Sequence, residues 1–179
     1  MEGRNVYEIF NYQIAYEIRL QQAMEENLLC PFHYFGITDL SMIGDEEAAR
    51  DFNMLTSDER VRHIVNQADY YGYSGDKVKG LIFCSNIKET EELSAKFNQI
   101  INPATGKNFR TVALNGSASE QERQDAFERL AMNEDESSED RQPLDYIFSV
   151  EILNEGVDIV EVNQVIMLRP VSYTHLRAH

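Results

Sequence analysis

Four short apolar runs, none interrupted by alternating polar residues, set the fold class. They are Gly80-Leu81-Ile82-Phe83-Cys84, Thr111-Val112-Ala113-Leu114, Tyr146-Ile147-Phe148-Ser149-Val150 and Val165-Ile166-Met167-Leu168. A strand wetted on one face alternates apolar with polar residues. A run that stays apolar throughout needs cover on both faces, as in a parallel sheet layered by helices. Helical segments lie between the runs. Asn86 is placed to cap one, with Glu89 three residues on, and that helix carries Leu93, Phe97 and Ile100. Ser119 and Glu122 have the spacing of a capping box ahead of Ala126, Phe127 and Leu130. Strand, helix, strand, helix, strand predicts an α/β domain with a doubly wound parallel sheet over residues 76–170. Ligands of such sheets bind at the carboxyl ends of the strands. The loops after Cys84, Leu114, Val150 and Leu168 are therefore the candidate site.

Residues 1–75 read as a helical connector. Ile9, Ile14, Ile18 and the stretch Leu20 to Met24 recur at helical spacing, and Pro31 ends that helix. Cys30 to Ile37 is dense in aromatics and reads as a short strand or packed connector. It suits packing against a neighbouring domain, with base stacking as the alternative. His33 is expected to be a core or edge residue rather than a catalytic one. Thr56-Ser57-Asp58-Glu59 has the form of a second capping box, opening a helix through Val61, Ile64, Val65 and Ala68 to Tyr70. Gly72, Ser74 and Gly75 then make a flexible break.

Composition limits the partners. Thirty-one acids against 16 bases give the 179-residue chain a net charge of -15. Phosphate contacts need lysine and arginine, so the chain alone is expected to hold DNA weakly. Part of the excess is the run Asn133 to Asp140, which reads as a solvated loop. No apolar run approaches the about 18 residues of a membrane span. The opening MEGRNVYEIF lacks the form of a secretory signal. Two distant cysteines, Cys30 and Cys84, fit a reducing cytoplasm, and the histidines and cysteines show no metal-ligand spacing.

Self-sufficient catalytic chemistry is not visible. Gly106-Lys107 is the only Gly-Lys pair, and it fails the phosphate-loop pattern at both ends. Asn108 follows it, and Ile101 stands five residues before the glycine. Residues 102–108 read as an ordinary loop. No acidic pair follows a strand to hold magnesium, and no nucleophile elbow or Cys/His pair appears. What remains are small polar residues at the strand ends: Ser85-Asn86, Asn115-Gly116-Ser117-Ala118-Ser119, and Asn154-Glu155-Gly156-Val157-Asp158. Each has a plain explanation as a helix cap or turn. The first two also suit phosphate oxygens at helix N-termini. In the third, Gly156 allows close backbone approach and Asp158 can accept hydrogen bonds from a sugar hydroxyl.

Taken together, their order and spacing resemble the second RecA-like domain of superfamily 2 helicases. GLIFCSN is similar to the family's fourth motif and ALNGSASEQER to the motif that follows. FSVEILNEGVDIVEVNQVIMLRP is similar to the fifth. The branch most resembled includes the type III restriction subunits. There EIRLQQAMEENLLCPFHYFGITD is similar to the connector from the first motor domain. The resemblance implies a P-loop NTPase fold without its P-loop. It implies ATP with magnesium held in a cleft against the first RecA-like domain of the same protein, which brings the phosphate loop and the magnesium carboxylates. Glu155, Gly156 and Asp158 are implied on the nucleotide side. Ser85, Asn86, Gly116 and Ser117 are implied on the nucleic-acid backbone, DNA being expected over RNA. Val150 stands where many relatives have a phosphate-contacting hydroxyl. Relatives continue past Pro170 to an arginine-rich helix, whereas 171–179 match no family pattern and read as a non-native tail. The residues alone leave two other readings open: a stand-alone non-catalytic phosphate- or nucleotide-binding module, and an interaction domain docking through its aromatic N-terminal segment.

Overall fold

The computed structural model describes residues 20–26, 33, 35–37, 52–150 and 162–168. It separates into two units, Met1–Ile37 and Thr38–His179. In the first, α1 spans Leu20–Glu25. His33 and Phe35 stack with ring centroids 6.3 Å apart. His33, Phe35, Gly36 and Ile37 are all exposed and outside regular structure, so the described part of this segment is not a strand and His33 is not in a core.

The second unit is a four-stranded, wholly parallel sheet with helices, the α/β class expected. A short α2, Phe52–Leu55, precedes α3, Asp58–Tyr71. Then come β1 Gly80–Phe83, α4 Ile87–Phe97, β2 Thr111–Leu114, α5 Glu120–Ala131, β3 Tyr146–Ser149 and β4 Gln164–Met167. The strand order is β2-β3-β1-β4. Alternate residues of each strand face opposite layers. Ile82 and Phe148 meet Val61, Ile64 and Val65 of α3 and Leu93 and Phe97 of α4. Leu81 and Ile147 meet Leu114 and, from α5, Ala126 and Leu130. Phe97 anchors the first layer, edge-on to Phe148 at 5.0 Å and to Tyr146 at 6.0 Å. Helix α3 falls on the connector side of the boundary expected at residue 75, yet its apolar face lies in the sheet's own core.

Burial on both faces holds for β1 and β3 but not for β4. There Val165 is 54% and Met167 47% exposed. The cause is position: β4 is an edge strand, and α5 lies against β3 instead.

The helix starts follow their caps. Asn86 Oδ1 accepts the Glu89 amide at 2.9 Å, and Ser119 with Glu122 forms a complete capping box. At α3 the cap is Ser57, whose hydroxyl accepts the Arg60 amide, not Thr56. The cap falls one residue later than expected, and with Arg60 rather than an acid at the third helical position no box forms. The break after α3 is pinned rather than loose. Gln164 Nε2 donates to the carbonyls of Ala68 and Gly72, and Asn163 Nδ2 to those of Ser74 and Lys77. Two lysines close the far end of α5, Lys79 Nζ on Ala131 O and Lys77 Nζ on Met132 O. The acidic run makes a short 3-10 turn, Glu134–Glu136, exposed as expected, with Arg110 paired to Glu134.

Candidate functional site

Phe83, Ser149 and Leu114 stand in register across β1, β3 and β2. The loops leaving β1 and β2 therefore rise on either side of the end of β3. Ser85, Asn86, Gly116 and Ser117 all lie in these loops, and all four are exposed. The structure thus brings the four together at the carboxyl edge of the sheet, where the doubly wound topology places ligand sites.

Each loop is held from within. The Ser85 amide donates to Glu89 Oε2 at 2.7 Å, and Thr90 Oγ1 donates to Asn86 O at 2.9 Å. The Ser85 amide and Asn86 Oδ1 are thus spent on the fold, and the helix-cap reading of Asn86 is correct. Across the edge, Asn115 Oδ1 accepts both the amide and the hydroxyl of Ser117, at 2.9 and 2.5 Å. This is an Asx-turn. Arg123 Nη2 reaches the Gly116 carbonyl at 3.4 Å. A Cβ added at Gly116 would meet nothing within 4 Å, so space stands open above that loop. Asn115 Nδ2 also reaches Glu91 Oε1 of α4 at 3.5 Å, tying the two loops' supports together.

Between the loops lies a residue that sequence reasoning passed over. Ser149 is fully buried, and its hydroxyl has no hydrogen-bond partner among the described residues. Its neighbour Val150 packs against the core. The available signal was a serine in an otherwise apolar run, at the strand end where ligands bind. An unmet buried hydroxyl costs about 1–3 kcal/mol, so its presence calls for a reason.

Cys84, beside this edge, is fully buried. Burial, reinforced by the Glu89 carboxylate, pushes its thiol up to about 12. An open groove of about 520 Å³ runs between β2 and α5, lined by Val112, Leu114, Ser117, Gln121 and Arg129. It includes Ser117 but neither Ser85 nor Asn86, so it follows the sheet's flank rather than its carboxyl edge. No group of three or more His, Cys, Asp or Glu placed to hold a metal occurs among the described residues. No helix among them is long and apolar enough to cross a membrane. Glu155, Gly156 and Asp158, with the rest of 151–161, lie outside the described residues, as do 169–179.

No curated protein matches the chain. The family model for the helicase conserved C-terminal domain matches residues 59–178, a span that starts within α3 and takes in all four strands. With a parallel sheet of the right class beneath that match, the chain belongs to the helicase conserved C-terminal domain family, the C-terminal RecA-like domain of superfamily 2 helicases.

Proposed function

We propose that the carboxyl edge of this sheet grips the sugar-phosphate backbone of a nucleic acid, DNA in the first instance, as the second motor domain of an ATP-dependent helicase or translocase. The observation that carries this reading is the Ser149 hydroxyl, without a partner among the described residues, between two exposed loops of small polar residues. The hydroxyl is covered in this structure, so a phosphate oxygen would reach it only as the edge opens on binding, with Ser85, Asn86, Gly116 and Ser117 around it. Contacts of this kind read backbone rather than base sequence. With a net charge of -15, the domain depends on other parts of the protein for much of its affinity.

The described residues do not by themselves fit a nucleotide. They hold neither a phosphate loop nor a cluster for magnesium. By the family resemblance, Gly156 and Asp158 contact the nucleotide with Glu155 supporting them, and the first RecA-like domain completes the site. ATP would supply the free energy for opening and closing the interdomain cleft. In the same reading, the residues before α3 connect the two motor domains, and α3 with residues 76–170 forms the second.

The test is ATP turnover by the full-length protein with and without single-stranded nucleic acid. Gly156→Val is expected to abolish turnover by blocking close backbone approach, and Asp158→Ala to weaken it less. Wild-type turnover in both variants would overturn the assignment.

A further inference from the structure

Arg60 and Glu89 form an ion pair sealed from water. Nη1 lies 2.7 Å from Oε1, and the side chains are 1% and 0% exposed. Both partners hold more than each other. Arg60 Nη1 also donates to Leu55 O at 2.5 Å, and Nη2 to Leu168 O at 3.4 Å. The second oxygen of Glu89 accepts the Ser85 amide at 2.7 Å. Leu168 is gripped at both ends of its backbone, since its amide donates to Phe83 O at 2.8 Å. One buried pair thus joins the start of α3, the loop leaving β1 and the chain leaving β4.

Stability alone is a weak reason for such a pair. Desolvating two charges offsets most of their attraction, and packed apolar residues of similar volume often serve as well. What apolar residues cannot do is hold a carboxylate and two separate carbonyls in one plane, as a guanidinium does. In a low-dielectric setting a displaced partner is costly, so movement at one end of the chain of bonds is felt at the other. A shift of the Ser85 amide reaches the Leu168 carbonyl through two hydrogen bonds and one ion pair.

We infer that Arg60 and Glu89 are positioning residues that couple the Ser85–Asn86 loop to the chain leaving β4, so that nucleic acid at the loop alters ATP turnover. The inference rests on the nucleic-acid reading of the carboxyl edge. It is tested in the full-length protein with two variants. One is Arg60→Met with Glu89→Leu, which removes the pair together. The other is Glu89→Gln, which keeps shape and removes charge. Each is measured for thermal midpoint, for turnover without nucleic acid, and for maximal stimulation by a mixed-sequence single-stranded oligonucleotide. Folded variants are expected to keep unstimulated turnover and to lose stimulation about tenfold, within the usual range of intersite coupling. Wild-type stimulation in either folded variant would overturn the inference and leave the nucleic-acid reading standing. Failure of both variants to fold would show the pair to be structural and overturn it too. A wild-type protein that nucleic acid does not stimulate at all would overturn the nucleic-acid reading, and the inference with it.

Discussion

The Tyr146 hydroxyl donates to Gln164 Oε1 at 2.6 Å, although a whole strand separates the two residues. Tyr146 opens β3 and Gln164 opens β4, with Gly80 of β1 in register with both. The tyrosine ring crosses over Gly80 to reach its partner. Gln164 Nε2 then holds the last carbonyls of α3, so one glycine allows a clamp that joins two strands and a helix.

Gly80→Ala is therefore expected to be severely destabilising. A Cβ at this position falls 2.2 Å from the Tyr146 ring, a separation that real side chains do not tolerate. The cost is expected at about 3 kcal/mol, the upper end for overpacking. Denaturant unfolding measures it. The same substitution in a Tyr146→Ala background should cost much less, and an equal cost there would refute the crossing.

Ser149→Ala should separate stability from function. Removing an unmet buried hydroxyl is expected to leave stability unchanged or raise it by about 1 kcal/mol. Affinity of the full-length protein for single-stranded nucleic acid should fall about tenfold, as for one hydrogen bond to a charged group. Paired unfolding and binding measurements check both signs. Unchanged affinity would remove Ser149 from the site.

Lys77 gives a pH signature at the opposite end of the sheet. Burial holds its ammonium down to about 8, although Asp145 and Glu134 favour the charge. Above that pH the folded protein releases a proton that the unfolded chain, near the ordinary lysine value of 10.5, still binds. Stability from this group therefore rises with pH across that window. Wild type is expected to gain thermal stability relative to Lys77→Met between pH 7 and pH 9.5. Burial raises Tyr73 and Tyr146, which act the other way at higher pH, but in both proteins alike. A constant difference between the two proteins would contradict the assignment.

Local signals carried much of the fold. The apolar runs became the four strands, and Asn86 and Ser119 cap the helices they precede, because both features depend on neighbours in sequence. Features set by strand order were not legible. The Tyr146–Gln164 clamp needs β1 between β3 and β4, and the exposure of Val165 and Met167 follows from the edge position of β4. Nothing local in the sequence marks Arg60 for burial. Its burial comes from Glu89 and from Leu168, a carbonyl 108 residues away. At the candidate site, the strand-end rule pointed to the loops that hold Ser85, Asn86, Gly116 and Ser117, which the structure places at the carboxyl edge. It could not single out Ser149, whose unmet hydroxyl is visible only once the strand is packed.

The central claim, nucleic acid on the carboxyl edge of the sheet, is tested most directly by residue-resolved amide chemical shifts of the chain. The titrant is a mixed-sequence single-stranded DNA oligonucleotide at low ionic strength, where backbone contacts are strongest. Shifts are expected at Ser85, Asn86, Gly116, Ser117 and Ser149, with Lys77 and Lys79 at the amino edge unmoved. Shifts confined to the amino edge, or none at millimolar oligonucleotide, would contradict it.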